Sequence, residues 1–166
     1  MHFTDTLGIQ REPRSKYDAP DPDDIMQSLK DVFPQGTAAV VLSPWAGRPV
    51  QACIDPLPLD APAELAFQVA YRLLAWISNH RVPRAVRIPD YLTAWLPFDR
   101  AVIVPIDADG RRIGAFVVDS TRVDRGRLEA LTLIAKDVAD RAATADRMAA
   151  ISKLAKEIFP HPVAPE

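Results

Sequence analysis

Apolar residues alternate with a two-residue period in the segment 100–106, which is the period of a β-strand. The alternating residues are Val102, Val104 and Ile106 on one side, and Ile103 and Pro105 on the other. Because both sides are apolar, the pattern predicts a strand that is covered on both faces of its sheet. A second apolar segment, residues 111–118, follows Asp109-Gly110, a dipeptide that favours a turn because glycine accepts a positive φ. The two segments are therefore predicted to form a β-hairpin.

The return strand of this hairpin contains a glycine among large side chains. Alternation predicts two faces, with Ile113, Ala115 and Val117 on one and Gly114, Phe116 and Val118 on the other. A glycine in the interior of a strand typically marks a bend or the close approach of another group. We expect one of these two features at Gly114.

Helical periodicity and turn residues predict the elements that precede the hairpin. Asp21 is placed to cap a helix that begins at Pro22 and runs to about Phe33. The other predicted elements are strands at 37–43, 49–54 and 84–88, a helix over about 60–80, and one helical turn within 90–97. The helix over 60–80 is apolar around so much of its circumference that we expect it to be covered on more than one side.

The last predicted helix, from Arg125 to about Phe159, is long for a small domain. At about 1.5 Å per residue it would span about 52 Å, whereas a compact chain of this size is about 30–40 Å across. Its first half is expected to pack on the domain, and its second half either pairs with a second copy or folds back. The predicted dimer interface comprises Leu128, Leu131, Ala135, Val138, Ala142, Ala145, Met148 and Ile151. Beyond Ala145, the apolar positions Met148, Ile151, Leu154 and Ile158 are out of phase with the earlier ones.

These elements predict an α+β protein with a largely antiparallel sheet of about five or six strands. We expect a flexible arm at residues 1–21, a single domain at 22–159 and a flexible tail at 160–166.

Composition and charge exclude several classes of protein. With a net charge of −2, the chain has no broad positive field for nucleic acid or an anionic membrane. One cysteine excludes an intrachain disulfide and a multi-cysteine zinc site, and three dispersed histidines give no support to a metal site. The sequence has neither a signal-peptide pattern nor an apolar run long enough to span a membrane. We expect a cytoplasmic protein. The sequence requires no cofactor, and the identity of any cofactor is unknown from it.

The hairpin and the last helix together resemble the C-terminal half of a GAF domain. The resemblance lies in the VPI strand, the DG turn, the RIGAFVVDS strand and the helical LEALTLIAKDVADRAATA. The matching residues are Val104, Pro105, Ile106, Gly110, Ile113, Gly114, Leu131, Ala135, Val138 and Ala139. The order of elements from about residue 22 also fits, while the related PAS and profilin-like sheets remain alternatives. The resemblance implies that the first and last helices lie on one face of the sheet and that helices and loops form a ligand pocket on the other.

The resemblance further implies a small sensory or regulatory protein, non-catalytic, that binds a small ligand or a separate signalling protein and forms a homodimer through its terminal helices. The residues expected to line the pocket are Trp45, Cys53, Trp76, Tyr91 and Trp95. One alternative is a ligandless adaptor or dimerisation scaffold whose pocket is filled by side chains. Another is an enzyme similar to the GAF-type free methionine sulfoxide reductases, in which Cys53 would be the reactive thiol. No residue is assigned a catalytic role in the leading interpretation.

Overall fold

The computed structural model describes residues 19–33, 36–43, 50–55, 63–80 and 84–160. The predicted arm lies outside these residues up to position 18, and the predicted tail lies outside them beyond position 160. The helices are α1 (Pro22–Lys30), α2 (Ala63–Ser78) and α3 (Arg125–Ile158). The strands are β1 (Ala38–Leu42), β2 (Gln51–Asp55), β3 (Ala85–Arg87), β4 (Arg100–Ala108) and β5 (Arg111–Asp119). Two 3-10 turns lie at Asp90–Leu92 and Ser120–Arg122.

The strands form a five-stranded antiparallel sheet in the order β2-β1-β5-β4-β3. All five residues of β1 are buried, as are six consecutive residues of β5, because β5 lies at the centre of the sheet with β1 beside it. The α+β architecture and the antiparallel sheet predicted from the sequence are therefore confirmed.

Helices cover both faces of this sheet. On one, the terminal-helix face, buried residues of α1 and α3 pack with Val40, Val104 and Phe116. On the other, the α2 face, residues of α2 and of the segment 88–98 pack with Val41, Ile103 and others. The placement of the first and last helices on one face, which the GAF resemblance implied, is confirmed.

Helix α1 begins where the sequence predicts. The Asp21 side chain accepts a hydrogen bond from the Asp23 backbone N–H at 2.9 Å, so a carboxylate satisfies a backbone donor of the first turn. The helix ends at Lys30, earlier than predicted, but Phe33 remains 3% exposed and packs in the core of the terminal-helix face.

The β4–β5 hairpin turns through two residues of positive φ, Asp109 at 50° and Gly110 at 75°. Ladder pairing shifts between Ile106 and Asp107: Ile106 pairs with Gly114, whereas Asp107 pairs with Arg112. The extra residue in β5 is Ile113, which packs on the terminal-helix face with Phe116 and not with Ala115 as alternation predicted. The prediction for Ile113 is wrong because a bulge interrupts the two-residue period.

Within positions 68–78, the buried residues of α2 lie on one side of the helix, which differs from the expectation of wider covering. Its buried residues within positions 68–78 are Val69, Ala70, Leu73, Trp76 and Ile77. At about 100° per residue they occupy an arc of about 120°. Tyr71 lies outside that arc and is 45% exposed.

Helix α3 runs unbroken for 34 residues, so it is about 51 Å long. Asp124 caps it by accepting a hydrogen bond from the Arg127 backbone N–H at 2.8 Å. Burial on the sheet ends near Ala143, and residues 146–160 are exposed throughout. The second half of the helix therefore projects beyond the sheet and does not fold back onto it.

Within the described part of the chain, no helix is both long and apolar enough to cross a lipid bilayer.

Candidate functional site

Two of the residues predicted to line a pocket lie on the α2 face. Trp76 is 6% exposed within the core of that face, and Trp95 is half-buried against the same core. The Trp76 ring also contacts the His80 ring edge-on, with centroids 5.5 Å apart and an interplanar angle of 73°. Leu92 and Leu96, which flank Trp95 in the segment after β3, are almost fully buried there. The described part of this face is therefore well filled by side chains around Trp76, and Trp95 lies at its margin.

The other predicted pocket residues are placed differently. Tyr91 is 50% exposed in the 3-10 turn at Asp90–Leu92, so its ring is available on the surface beside Leu92. Trp45 lies outside the described residues.

Cys53 lies on the opposite face of the sheet from the two tryptophans. It pairs with Val40 in the β1–β2 ladder and packs, half-buried, against the core of the terminal-helix face. The reason is the two-residue period of β2, which directs Cys53 towards α1 and directs Ala52 and Ile54 towards α2. Cys53 consequently does not line the same surface as Trp76 and Trp95, and that part of the predicted site is corrected.

The surroundings of Cys53 keep its thiol protonated. Burial, the largest cause, acts together with a hydrogen bond to the Asp23 carboxylate and with the negative charge of that carboxylate, and the pKa of the Cys53 thiol is raised to about 12. A thiolate is the nucleophilic form of cysteine, and reactive cysteines have depressed pKa values. The geometry around Cys53 therefore opposes the thiol chemistry that the reductase alternative requires.

Arg112 joins the end of α2 to the hairpin, a contact that the sequence analysis did not find. Its Nη1 donates to the His80 carbonyl oxygen at 2.7 Å, and its Nε donates to Asp107 Oδ1 at 3.3 Å. The guanidinium thus satisfies a carbonyl just past the C-terminal end of α2, where a cation is favourable. His80 and Arg112 are 32 positions apart, so no local pattern could have indicated this contact.

A polar cleft of about 200 Å³ lies between the hairpin tip and α3. Its charged and hydroxyl-bearing lining residues are Asp107, Asp109, Asp140, Thr144 and Arg147. Arg147 Nη2 lies 3.9 Å from Asp109 Oδ1, but both side chains are about 70% exposed, so the pair is solvent-screened. The cleft marks the point where α3 leaves the sheet.

The inner stripe of α3, defined as Leu131, Ala135, Val138 and Ala142, is buried in the chain's own core. Each of these side chains is at most 5% exposed. The sequence assigned these residues to a dimer interface and also predicted that the first half of the helix packs on the domain. The sheet face formed by β4 and β5 buries them, so they belong to the packing on the domain. Leu128 is half-buried against the same core, and Ala145 is half-buried where burial ends.

A second apolar stripe lies on the projecting part of α3. This outer stripe, defined as Met148, Ile151, Leu154, Ala155 and Ile158, is exposed along its whole length. Leu131 and Ile151 are 20 positions apart, which puts them about 160° apart around the helix axis. The outer stripe therefore points away from the sheet that covers the inner stripe.

Among the described residues, no group of three or more histidine, cysteine or acidic side chains is arranged to hold a metal ion.

No family model matches the chain, and no curated protein is similar to it at a significant level. A solved structure does resemble it: the crystal structure of a methyl-accepting chemotaxis protein, residues 122 to 287, superposes with a TM-score of 0.54. The two sequences are 17% identical, and the match covers 76% of this chain and 90% of the other. At that level of identity the similarity establishes the fold alone.

The fold is GAF-like. The observations agree on this: the sheet order, the terminal helices on one face, and the hairpin followed by a long helix. The GAF-B domain of DevS from Mycobacterium smegmatis is also similar, at 16% identity and a TM-score of 0.44, over 81% of this chain and 99% of that one. Among the helices of the described residues, α3 is the one that is both anchored on the sheet and extended beyond it.

Proposed function

We propose that this chain is a non-catalytic regulatory module of the cytoplasm that dimerises through the projecting part of α3. The input is the binding of a small ligand or of a separate signalling protein to its α2 face. A ligand that favours one arrangement of the helices would shift the population of that arrangement, and α3 would carry the change to the dimer.

The observation that carries this proposal is the outer stripe. Met148 is 40% exposed, Ile151 59%, Leu154 55% and Ile158 60%, and all four lie on one helix beyond the sheet. A contiguous apolar surface of this kind typically marks an interaction site, because leaving it in water forgoes the free energy of burial. Because the outer stripe points away from the sheet, the core of this chain does not cover it, which supports a covering surface from another molecule.

Support for input on the α2 face comes from Tyr91 and Trp95. Both are aromatic, both lie in the segment after β3, and both retain surface at the margin of a packed core. Aromatic rings at such positions commonly stack on planar ligands or partner side chains. The segment continues directly into β4, which contacts α3 through its other face.

The second candidate is a ligandless scaffold, and the burial of Trp76 favours it. A tryptophan that is 6% exposed occupies the place that a ligand would need beneath α2. The scaffold would share the dimer of the first candidate but would have no small-molecule input.

Light scattering on size-exclusion fractions tests the dimer, with Ile151→Glu as the disruptive variant. We expect the chain to have twice its mass of 18.3 kDa and Ile151→Glu to be monomeric, since a carboxylate in the stripe cannot be buried without cost. Leu133→Glu is the matched control: Leu133 is 68% exposed, on the same side of α3 and 18 positions before Ile151. It should remain dimeric. A monomeric parent chain contradicts the proposal.

Native mass spectrometry of the protein purified from its source distinguishes the two candidates. A bound small molecule that is lost in Trp95→Ala and Tyr91→Ala supports ligand input on the α2 face. A chain mass without any adduct, together with an intact dimer, supports the scaffold.

A further inference from the structure

We propose that two copies of the chain pair in antiparallel orientation along the outer stripe. This inference rests on the proposed dimer and adds the direction in which the two helices run. It follows from the order of side-chain sizes, the position of the charges and the place where α3 ends.

The outer stripe is nearly symmetric about residue 153. Met148 and Ile158 lie five positions on either side of that point, and Ile151 and Ala155 lie two positions on either side. In an antiparallel pair, residues equidistant from the centre lie at the same level. Ile151 would then face Ala155 of the second copy, and Met148 would face Ile158. A large side chain opposite a small one fills the space between two helices evenly.

A parallel pair would place each of these residues opposite its own copy. Ile151 would then meet Ile151, and Ala155 would meet Ala155, so that one level is crowded and another has a gap. Voids and overpacked contacts both lower the stability of an interface. The pattern of large and small residues therefore favours the antiparallel arrangement.

Charges on the proximal part of α3 favour the same direction. Asp137 and Asp140 are exposed and lie within about 40° of Ile151 around the helix axis. A parallel pair that continued up the helix would bring these carboxylates against their own copies. In the antiparallel pair, the second helix reaches its C-terminal end near the level of residue 147 and leaves both carboxylates in water.

The end of α3 adds a complementary charge. The last helical residue is Ile158, and the carbonyl groups of the last turn carry the negative end of the helix dipole. The antiparallel pair puts this end beside Arg147 of the second copy, whose side chain is 69% exposed. A cation at a helix C-terminus is stabilising, whereas the parallel pair places Arg147 far from that end.

Disulfide cross-linking between two variant chains, each with one introduced cysteine, measures the direction. Both are made with Cys53→Ala, so that the only thiol is the introduced one; the first carries Met148→Cys and the second Ile158→Cys. Each chain is oxidised alone and then after mixing, subunit exchange and oxidation, and the two chains differ in a short tag so that products are resolved by mass.

We expect a cross-linked heterodimer in the mixture and little product from either chain alone. Efficient homodimer formation by each chain alone would show a parallel pair and overturn the proposed direction while leaving the dimer in place. Light scattering separates this from the other failure: a monomeric parent chain overturns the dimer itself. A dimer that persists in Ile151→Glu places the interface away from the outer stripe and overturns both the direction and the surface.

Discussion

Gly114 lies against the backbone of Val41, so close that a Cβ atom at position 114 would collide with the Val41 carbonyl oxygen. It would also lie 2.9 Å from Leu42 Cδ2. This close approach occurs where β5 passes β1 at the centre of the sheet, beside the bulge at Ile113. The sequence predicted a bend or a close approach at Gly114, and the structure confirms the close approach.

Gly114→Ala should destabilise the fold. The added methyl group meets backbone that belongs to the central ladder, so the strands must separate, and we expect a loss of about 2 kcal/mol or more in the free energy of unfolding. Chemical denaturation checks this. Gly126→Ala is the control, because Gly126 lies in the first turn of α3 and the new Cβ would be in ordinary contact with Asp124 Oδ1 at 3.6 Å. It should be neutral or stabilising by about 0.5–1 kcal/mol.

Two leucines of α3 offer a matched comparison of the inner and outer sides of the helix. Leu131 is 0% exposed and Leu133 is 68% exposed, although they are two positions apart. Leu131→Ala should lower the free energy of unfolding by about 3 kcal/mol, since it leaves a cavity against the sheet. Leu133→Ala should change it by less than about 0.5 kcal/mol. Equal effects would contradict the assignment of the inner stripe to the chain's own core.

The Cys53 thiol should react slowly with iodoacetamide in the folded protein. Its folded-state pKa of about 12 lies above the ordinary value of 9.0, so the unfolded chain loses the thiol proton first as pH rises. The corresponding contribution to stability is therefore fully present below about pH 9 and is lost as pH rises towards 12. Alkylation followed by mass spectrometry, with a denatured sample as reference, measures the protection.

Asp23→Asn tests the cause of that protection. Removing the carboxylate lowers the Cys53 pKa towards its ordinary value, because both the hydrogen bond to Asp23 and its charge raise the pKa. We expect faster alkylation than in the parent chain. Asp24→Asn, at the neighbouring exposed position, is the control and should leave the rate unchanged. If both variants react like the parent, desolvation alone protects the thiol.

The two-residue turn of the hairpin should depend on Gly110 more than on Asp109. Gly110 has φ of 75° with no neighbouring atom in the way of a Cβ, so Gly110→Ala is opposed by backbone conformation alone. We expect a cost of about 1–2 kcal/mol in the free energy of unfolding. Asp109→Asn should be neutral, because asparagine adopts positive φ readily. A neutral Gly110→Ala would contradict the assigned turn.

The sequence by itself determined the order and type of the elements. Two-residue alternation in 100–106 and 111–118, the Asp21 cap and the long helical period after Asp124 are local signals, and local backbone preferences decide them. They were sufficient to predict the antiparallel sheet, and the resemblance to GAF domains implied how the helices lie on it.

Only the tertiary structure decided which surfaces these elements present. The bulge that moves Ile113 to the other face, the face on which Cys53 lies, and the contact of Arg112 with the His80 carbonyl all depend on strand register and on residues far apart in the chain. The tertiary structure also decided which surface each side of α3 presents, because the sequence had predicted a single interface from its apolar residues. The sheet covers one side of this helix and ends near Ala143, so Val138 is core and Ile151 is surface, although both are apolar residues in one continuous helix. A helical period records that a side chain is apolar, and the position of the sheet determines whether anything in the chain covers it.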